Sequence, residues 1–203
     1  MLIVLSESIY VYNLLPQDAQ VPSHWNIYGN VDGKMEKGVG LFLLPGLLTF
    51  ISLILIGIPY IDPLQKNIEK FKPTFNLFIF SFSIFFLLIH TFIILSSLKY
   101  NVPISFAITP GLAFLFYVVG VLTKNAKRNY FIGIRTPWTL NSDIVWDKTH
   151  DLAGTLFKSS SIIILIGVFL DPLYSFVLTF GTIILTSIIA VVYSYLLFLK
   201  EKK

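Results

Sequence analysis

Five stretches of this chain are apolar for a length that crosses a lipid bilayer, and no other feature narrows its fold so far. Val39 to Tyr60, Pro73 to Leu98, Val102 to Leu122 and Tyr174 to Leu199 contain no Asp, Glu, Lys or Arg. A fifth, Leu152 to Leu170, carries Lys158 near its start and ends at Asp171-Pro172, a helix stop. A bilayer core about 30 Å thick takes roughly 20 helical residues. Only helices and closed barrels satisfy the backbone within it. The runs are continuous rather than alternating with period 2, which argues against a barrel. Charged residues make up only 13% of the 203, too few to clothe a water-soluble fold that is 55% hydrophobic. We therefore expect an all-α, polytopic transmembrane helix bundle in the cell membrane, with the lipid bilayer as its first partner.

The N-terminal stretch, Leu2 to Leu15, is apolar but short, and it contains Glu7 and Asn13. We expect a short sixth membrane helix there, the alternatives being an interfacial helix or a signal-like segment. No basic region precedes it, so a cleaved signal peptide is not expected. With no cysteine, the chain has no disulfide framework, thiolate metal site or Cys nucleophile.

The basic residues set an expected orientation. Lys66, Lys70 and Lys72 fall in one loop. Lys124, Lys127, Arg128, Arg135 and Lys148 fall in the loop 123–151, and Lys200, Lys202 and Lys203 end the chain. These eleven face one side if the helices alternate, against Lys34, Lys37 and Lys99 on the other. The positive-inside rule then puts the C-terminus in the cytoplasm and segment 16–38 outside. The net charge of +4 needs no nucleic-acid partner on this reading.

Two polar segments carry the information. The outer one holds Pro22, His24 and Trp25, then Tyr28-Gly29-Asn30-Val31-Asp32-Gly33, which reads as turn material. His24, Trp25 and Asp32 are its candidate site residues, the plainer reading being an ordered loop anchored by Trp25 at the interface. The inner segment runs Asn129-Tyr130-Phe131-Ile132-Gly133-Ile134-Arg135-Thr136-Pro137-Trp138-Thr139-Leu140. Gly133 permits a bend, and Pro137 blocks helix through Thr136. Ser142 is placed to cap a helix that leads into the next span.

On that helix Asp143, Asp147, His150 and Asp151 share one face, and like charges so spaced require cations. Lys127, Arg128 or Arg135 serve, so a solvated or cation-paired face is expected. A metal is the alternative, although no established ligand spacing is present. Deep within the spans, His90 is the one readily titratable side chain, and we expect it to be hydrogen-bonded to a neighbouring helix. No nucleophile elbow, phosphate loop, dinucleotide fingerprint or paired intramembrane carboxylates occur, so neither an enzyme nor a cofactor is expected.

The run from Asn129 to Leu140, followed by Trp146 and Lys148-Thr149-His150, closely resembles the signature of the SdpI immunity family. Leu15-Pro16, Pro22, His24, Gly29 and Asp32-Gly33 resemble the membrane domain of unknown function often fused to its N-terminus. The sequence departs from that pattern at its start, where the leading hydrophobic helix is short. The resemblance implies a non-enzymatic membrane protein of six helices, divided into an N-terminal domain at 1–60 and an SdpI-like domain at 61–203. It implies immunity to, or sensing of, an exported toxic protein, and a relay to a cytoplasmic transcriptional repressor. Gly133, Arg135, Thr136, Pro137, Trp138 and Trp146 match the signature, with Asn129 and His150 in the same run, and His24 matches the upstream motif. Two alternatives stand beside it. One is a small transporter lined by His90 and the Pro110 kink, and the other is a metal-dependent membrane enzyme using His24 or the Asp143–His150 face.

Overall fold

The structure, a computed structural model, describes residues 2–100 and 102–202; Lys203, one of the basic residues counted above, lies outside them. The chain runs α1 (Leu2–Leu14), β1 (Gln20–Trp25), β2 (Val31–Glu36), α2 (Lys37–Ile61), α3 (Gln65–Glu69), α4 (Lys72–Ser97), α5 (Ser105–Asn125), α6 (Pro137–Asn141), α7 (Asp143–Ile166) and α8 (Pro172–Glu201). A 3-10 turn, Gly167–Phe169, closes α7. Helices α2, α4, α5, α7 and α8 are the five that are long and apolar enough to cross a bilayer, and they coincide with the five apolar runs. The expected helix bundle is present.

Its ends differ. The β-hairpin, the α4–α5 turn and the α7–α8 turn gather at one, the hairpin end. Helix α3 and the segment 126–142 with α6 gather at the other, the loop end.

Side chains are arranged as for lipid rather than for water. Large apolar residues point outward: Phe80 is 65% exposed and Ile184 57%. Small residues point inward. On α8 the buried positions are Ser175, Thr179, Thr186, Ala190 and Ser194, one stripe of the helix. Lipid tails are as apolar as leucine, so helices associate through close packing and hydrogen bonds instead, and small residues permit both. Ser160 of α7 and Thr186 of α8 make such a bond at 2.7 Å.

The tightest helix pair is α5 against α7. A Cβ on Gly120 would meet the Gly154 carbonyl at 2.8 Å, and a Cβ on Gly154 would meet that of Gly120 at 2.8 Å. The two backbones touch where neither carries a side chain. At Gly111, next to Pro110, a Cβ would meet the Phe85 ring at 2.6 Å, so this pair forms a notch on α5 that receives α4. The Lys158 stem lies over Gly120, its Cγ 2.7 Å from where a Cβ would sit.

Helix α1 has 13 residues, which at about 1.5 Å each reach about 20 Å, less than a full span. It packs Val4, Ser8 and Val11 inward. The carbonyls of Tyr12 in its last turn and of Leu15 just beyond it accept from Lys37 Nζ at 3.4 and 3.0 Å, and the ammonium sits 4.3 Å from the centre of the Tyr12 ring. Lys37, counted above as an outer cation, is buried and serves as the C-terminal cap of α1.

The outer segment adds two strands to the helical bundle. Gln20 pairs with Glu36, Val21 with Met35 and Pro22 with Lys34, antiparallel, before two irregularities set His24 opposite Gly33 and Trp25 opposite Val31. Tyr28-Gly29-Asn30 is a turn, as expected. Asp32-Gly33 is not; it lies in β2. A Cβ on Gly40 would meet Val21 Cβ at 2.6 Å, so the hairpin rests directly on the first turn of α2.

Replacing Gly154 with leucine should force α5 and α7 apart and lower stability by about 1–3 kcal/mol. Thermal unfolding in detergent micelles measures it. Gly181→Leu is the control, because a Cβ there meets open space. Equal midpoints for the two variants would contradict the close approach.

Candidate functional site

Sequence-singled residues gather at both ends of the bundle. At the loop end, segment 126–136 folds around Asn129, which is fully buried. Its Nδ2 donates to the carbonyls of Lys127 and Ile132, both at 2.8 Å. Its Oδ1 accepts from the amides of Phe131 and Ile132 at 2.9 and 2.6 Å. Gly133 follows at φ +111°, and a Cβ there would overlap His150 Nε2. The bend read from Gly133 is real, and the contact with His150 is its second reason.

His150 is buried and stacks on Trp146, ring centres 3.9 Å apart and 14° from parallel. Nδ1 faces the Trp146 carbonyl at 2.8 Å, and Nε2 faces the Ile134 amide at 3.0 Å. A carbonyl only accepts and an amide only donates, so the ring is the neutral Nδ1–H tautomer. Trp146 Nε1 in turn donates to the Ala126 carbonyl at 2.9 Å. Thr136 caps α6 by a reciprocal pair with Thr139, whose hydroxyl donates to the Ile134 carbonyl at 2.8 Å. Ser142 caps α7 by accepting from the Val145 amide at 3.2 Å, as its position foretold.

The acidic face divides. Asp143 lies 2.7 Å from Arg128 Nε, Asp147 3.4 Å from Lys127 Nζ, and Asp151 2.9 Å from Lys124 Nζ. The expected cation-paired face is therefore found, with Lys124 in place of Arg135. His150 is not part of it. At about 100° per residue it falls between Trp146 and Asp143, on the edge of the buried sector. Arg135 is exposed and donates to the Tyr130 carbonyl at 2.9 Å. Trp138 packs on Tyr195 and its indole N–H donates to Ser194, both on α8.

Two residues that sequence reasoning missed tie this segment to the first half of the chain. Asp62, buried, accepts from the Leu64 amide at 2.6 Å and the Tyr130 amide at 2.8 Å. Asn67 Nδ2 donates to the Arg128 carbonyl at 2.8 Å. Their only sequence signal is polarity beside a span end.

At the hairpin end, His24 Nδ1 lies 2.5 Å from Asp32 Oδ1, and both side chains are exposed. Gly33 makes this possible: a Cβ there would meet His24 Cβ at 2.9 Å. Trp25 packs against the core cluster of Val11, Val21, Leu41, Ile93 and Ile94, as the anchoring role requires. His24, Trp25 and Asp32 also border a cavity of about 590 Å³ between the first turns of α5 and α8.

His90 is at neither end. It is fully buried, with Nε2 2.8 Å from Ser8 Oγ, which also lies 2.8 Å from the Leu41 carbonyl. The hydroxyl proton serves Leu41 when the ring N–H donates to Ser8. His90 thus joins α1, α2 and α4, the neighbour-bonded role expected of it. It does not line the cavity.

Residues 125–194, from the end of α5 to the Trp138–Ser194 contact, match the SdpI/YfhL protein family. That part of the chain is similar to the SdpI/YfhL family. Residues 1–49 match a domain of unknown function, DUF1648, which here comprises α1, the hairpin and half of α2. The chain is 26% identical over 191 residues to the immunity protein SdpI of Bacillus subtilis (strain 168), across 93% of this chain and 87% of that protein. No solved structure matches. With its five apolar helices, this is a multi-pass membrane protein.

Within residues 125–194, burial separates two kinds of residue. Asn129, Thr139, Trp146 and His150 are interior, and their polar atoms bond other parts of the same segment. Arg135 and the charged ladder face outward. Asn129→Ala should leave buried backbone groups unpaired, cost about 1–3 kcal/mol, and open segment 126–136 to protease. Lys127→Ala removes an exposed pair worth about 0–1 kcal/mol and should leave both unchanged. Limited proteolysis with unfolding midpoints checks this; equal sensitivity in the two variants would contradict it.

Proposed function

We propose that this protein gives its cell immunity to an exported toxic protein or peptide, or senses one, without catalysing a reaction. The observation that carries the proposal is the alignment, over nearly the whole chain, with a protein named for immunity. The geometry supports it in a specific way. The candidate residues His24, Trp25 and Asp32 stand at one end of the bundle, and the family-signature segment stands at the other, joined by continuous helices.

On this proposal the hairpin end is extracellular and the loop end cytoplasmic. The eleven basic residues read from the sequence favour that orientation. The N-terminal unit 1–60 brings the outer segment, and 61–203 brings the signature loop. A toxin bound at the hairpin end acts on the cytoplasmic end only by preferring one arrangement of the helices over another. Helix α8 is suited to carry that preference. Its first turns border the cavity, and its last turns hold Trp138 through Ser194 and Tyr195, and Ser142 through Glu201 at 2.8 Å. A repressor retained at the membrane would meet the outward-facing part of the loop, where Arg135 is exposed. The neutral, fully bonded His150 and the paired acidic face support neither a metal centre nor a general acid.

The test is replacement in Bacillus subtilis lacking its SdpI. Expressed there, this protein should restore survival in co-culture with the parent strain, and an inserted but non-protective protein would defeat the proposal. Arg135→Ala, which loses one exposed hydrogen bond, should insert at the normal level and lose protection. Full protection by that variant would remove Arg135 from the site.

A further inference from the structure

We infer that the cavity beneath the hairpin tip is the seat of the toxic ligand, and that it takes an apolar peptide segment bearing a basic group at its outer end. This deepens the immunity reading and rests on it.

The cavity exists because α5 and α8 are held apart. Both pack on α7, through Gly120 with Gly154 and through Ser160 with Thr186, but α7 stops at Ile166. Beyond that point the 3-10 turn packs its Gly167 against Ser175 and Thr109, two residues of the cavity lining. Those two hydroxyls approach only to 3.5 Å, a weak link between α5 and α8. Leu112, Phe176 and Phe180 make the sides apolar. At about 590 Å³ the space is within the range of small-ligand sites and admits a few apolar side chains.

The rim decides what enters. Asp32 is the one Asp, Glu, Lys or Arg among the described residues lining the cavity, and Asp171 is the chain neighbour of Pro172, which lines it. Asp32 holds His24 by Nδ1, which leaves Nε2 to meet a ligand. A rim whose one charged lining residue is a carboxylate, with no lysine or arginine among the described lining residues, favours a cation over a phosphate. An anionic phospholipid would have to bring its net negative head group to this acidic edge in order to place an acyl chain inside. An apolar peptide segment flanked by lysine, arginine or a free amino terminus meets no such penalty.

Binding is measured on the full-length protein in phosphatidylcholine nanodiscs, with empty nanodiscs as blank. The probe is a fluorescent leucine–alanine peptide with a single terminal lysine, compared with its glutamate twin. The lysine peptide should bind on the order of 10-fold more tightly than the twin, and Asp32→Asn should abolish that difference. Ser175→Phe and Ile108→Trp fill the cavity from opposite helices, and each should weaken both peptides by about 10-fold at unchanged helical content. Undiminished binding by a folded filled variant, or equal binding of the two peptides to the unmodified protein, would overturn the inference. So would displacement of the lysine peptide by lysophosphatidylcholine at equal concentration, which would mark a lipid slot. Failure of the unmodified protein to protect Bacillus subtilis would instead refute the immunity reading. Protection by the unmodified protein and by both filled variants alike would refute the cavity alone.

Discussion

The close approach of α5 and α7 at Gly120 and Gly154 is the contact on which the rest of the architecture depends. Within a bilayer, burying apolar surface brings helices together only weakly, so a place where two backbones touch does the work of a hydrophobic core. Immediately beyond it, toward the loop end, Lys124 on α5 meets Asp151 on α7, and the ladder continues through Lys127 and Arg128 to Asp147 and Asp143. These exposed pairs add little energy individually but agree in register with the glycine contact. Helix α8 then docks on α7 through its stripe of small residues, and the space left beyond the end of α7 becomes the cavity.

The loop end joins the two parts of the chain. Ile58, Ile68, Phe71, Phe75, Leu122, Ala126, Ile132 and Trp146 form one apolar cluster drawn from α2, α3, α4, α5, the signature segment and α7. Asp62 and Asn67 add hydrogen bonds from the first half of the chain to Tyr130 and Arg128. Much of the signature-like segment is therefore internal: Asn129, Gly133, Thr139, Trp146 and His150 pack and bond within it. Arg135 is what the segment presents, and Trp138 ties it to α8.

The spans and the cap at Ser142 were legible in the sequence because each depends on neighbours within a few residues; helix α6 and its cap at Thr136 were not read there. The bend at Gly133 was legible for the same reason, though its contact with His150 was not. Strands β1 and β2 were hidden: six residues each, interrupted by Pro22 and Gly33, they read as a loop and a turn. Lys37 looked like a free outer cation because its partners, Tyr12 and Leu15, lie more than 20 residues earlier. Ser8 and His90 are separated by 82 residues, and nothing local joins them. The spacing of Asp143, Asp147, His150 and Asp151 was read correctly as an arc. The boundary of burial, which falls between His150 and Asp143, is set by packing on segment 126–136 and leaves no mark in the spacing.

The account turns on the hairpin and the signature loop lying on opposite sides of one membrane, with the hairpin outside. Because the chain has no cysteine, single substitutions report this cleanly. Tyr28→Cys in the hairpin turn and Lys127→Cys in the loop are treated in intact cells with a membrane-impermeant maleimide. The account requires labelling at position 28 at once and at position 127 only after the membrane is opened. Labelling of position 127 in intact cells, or of both positions alike, would contradict it.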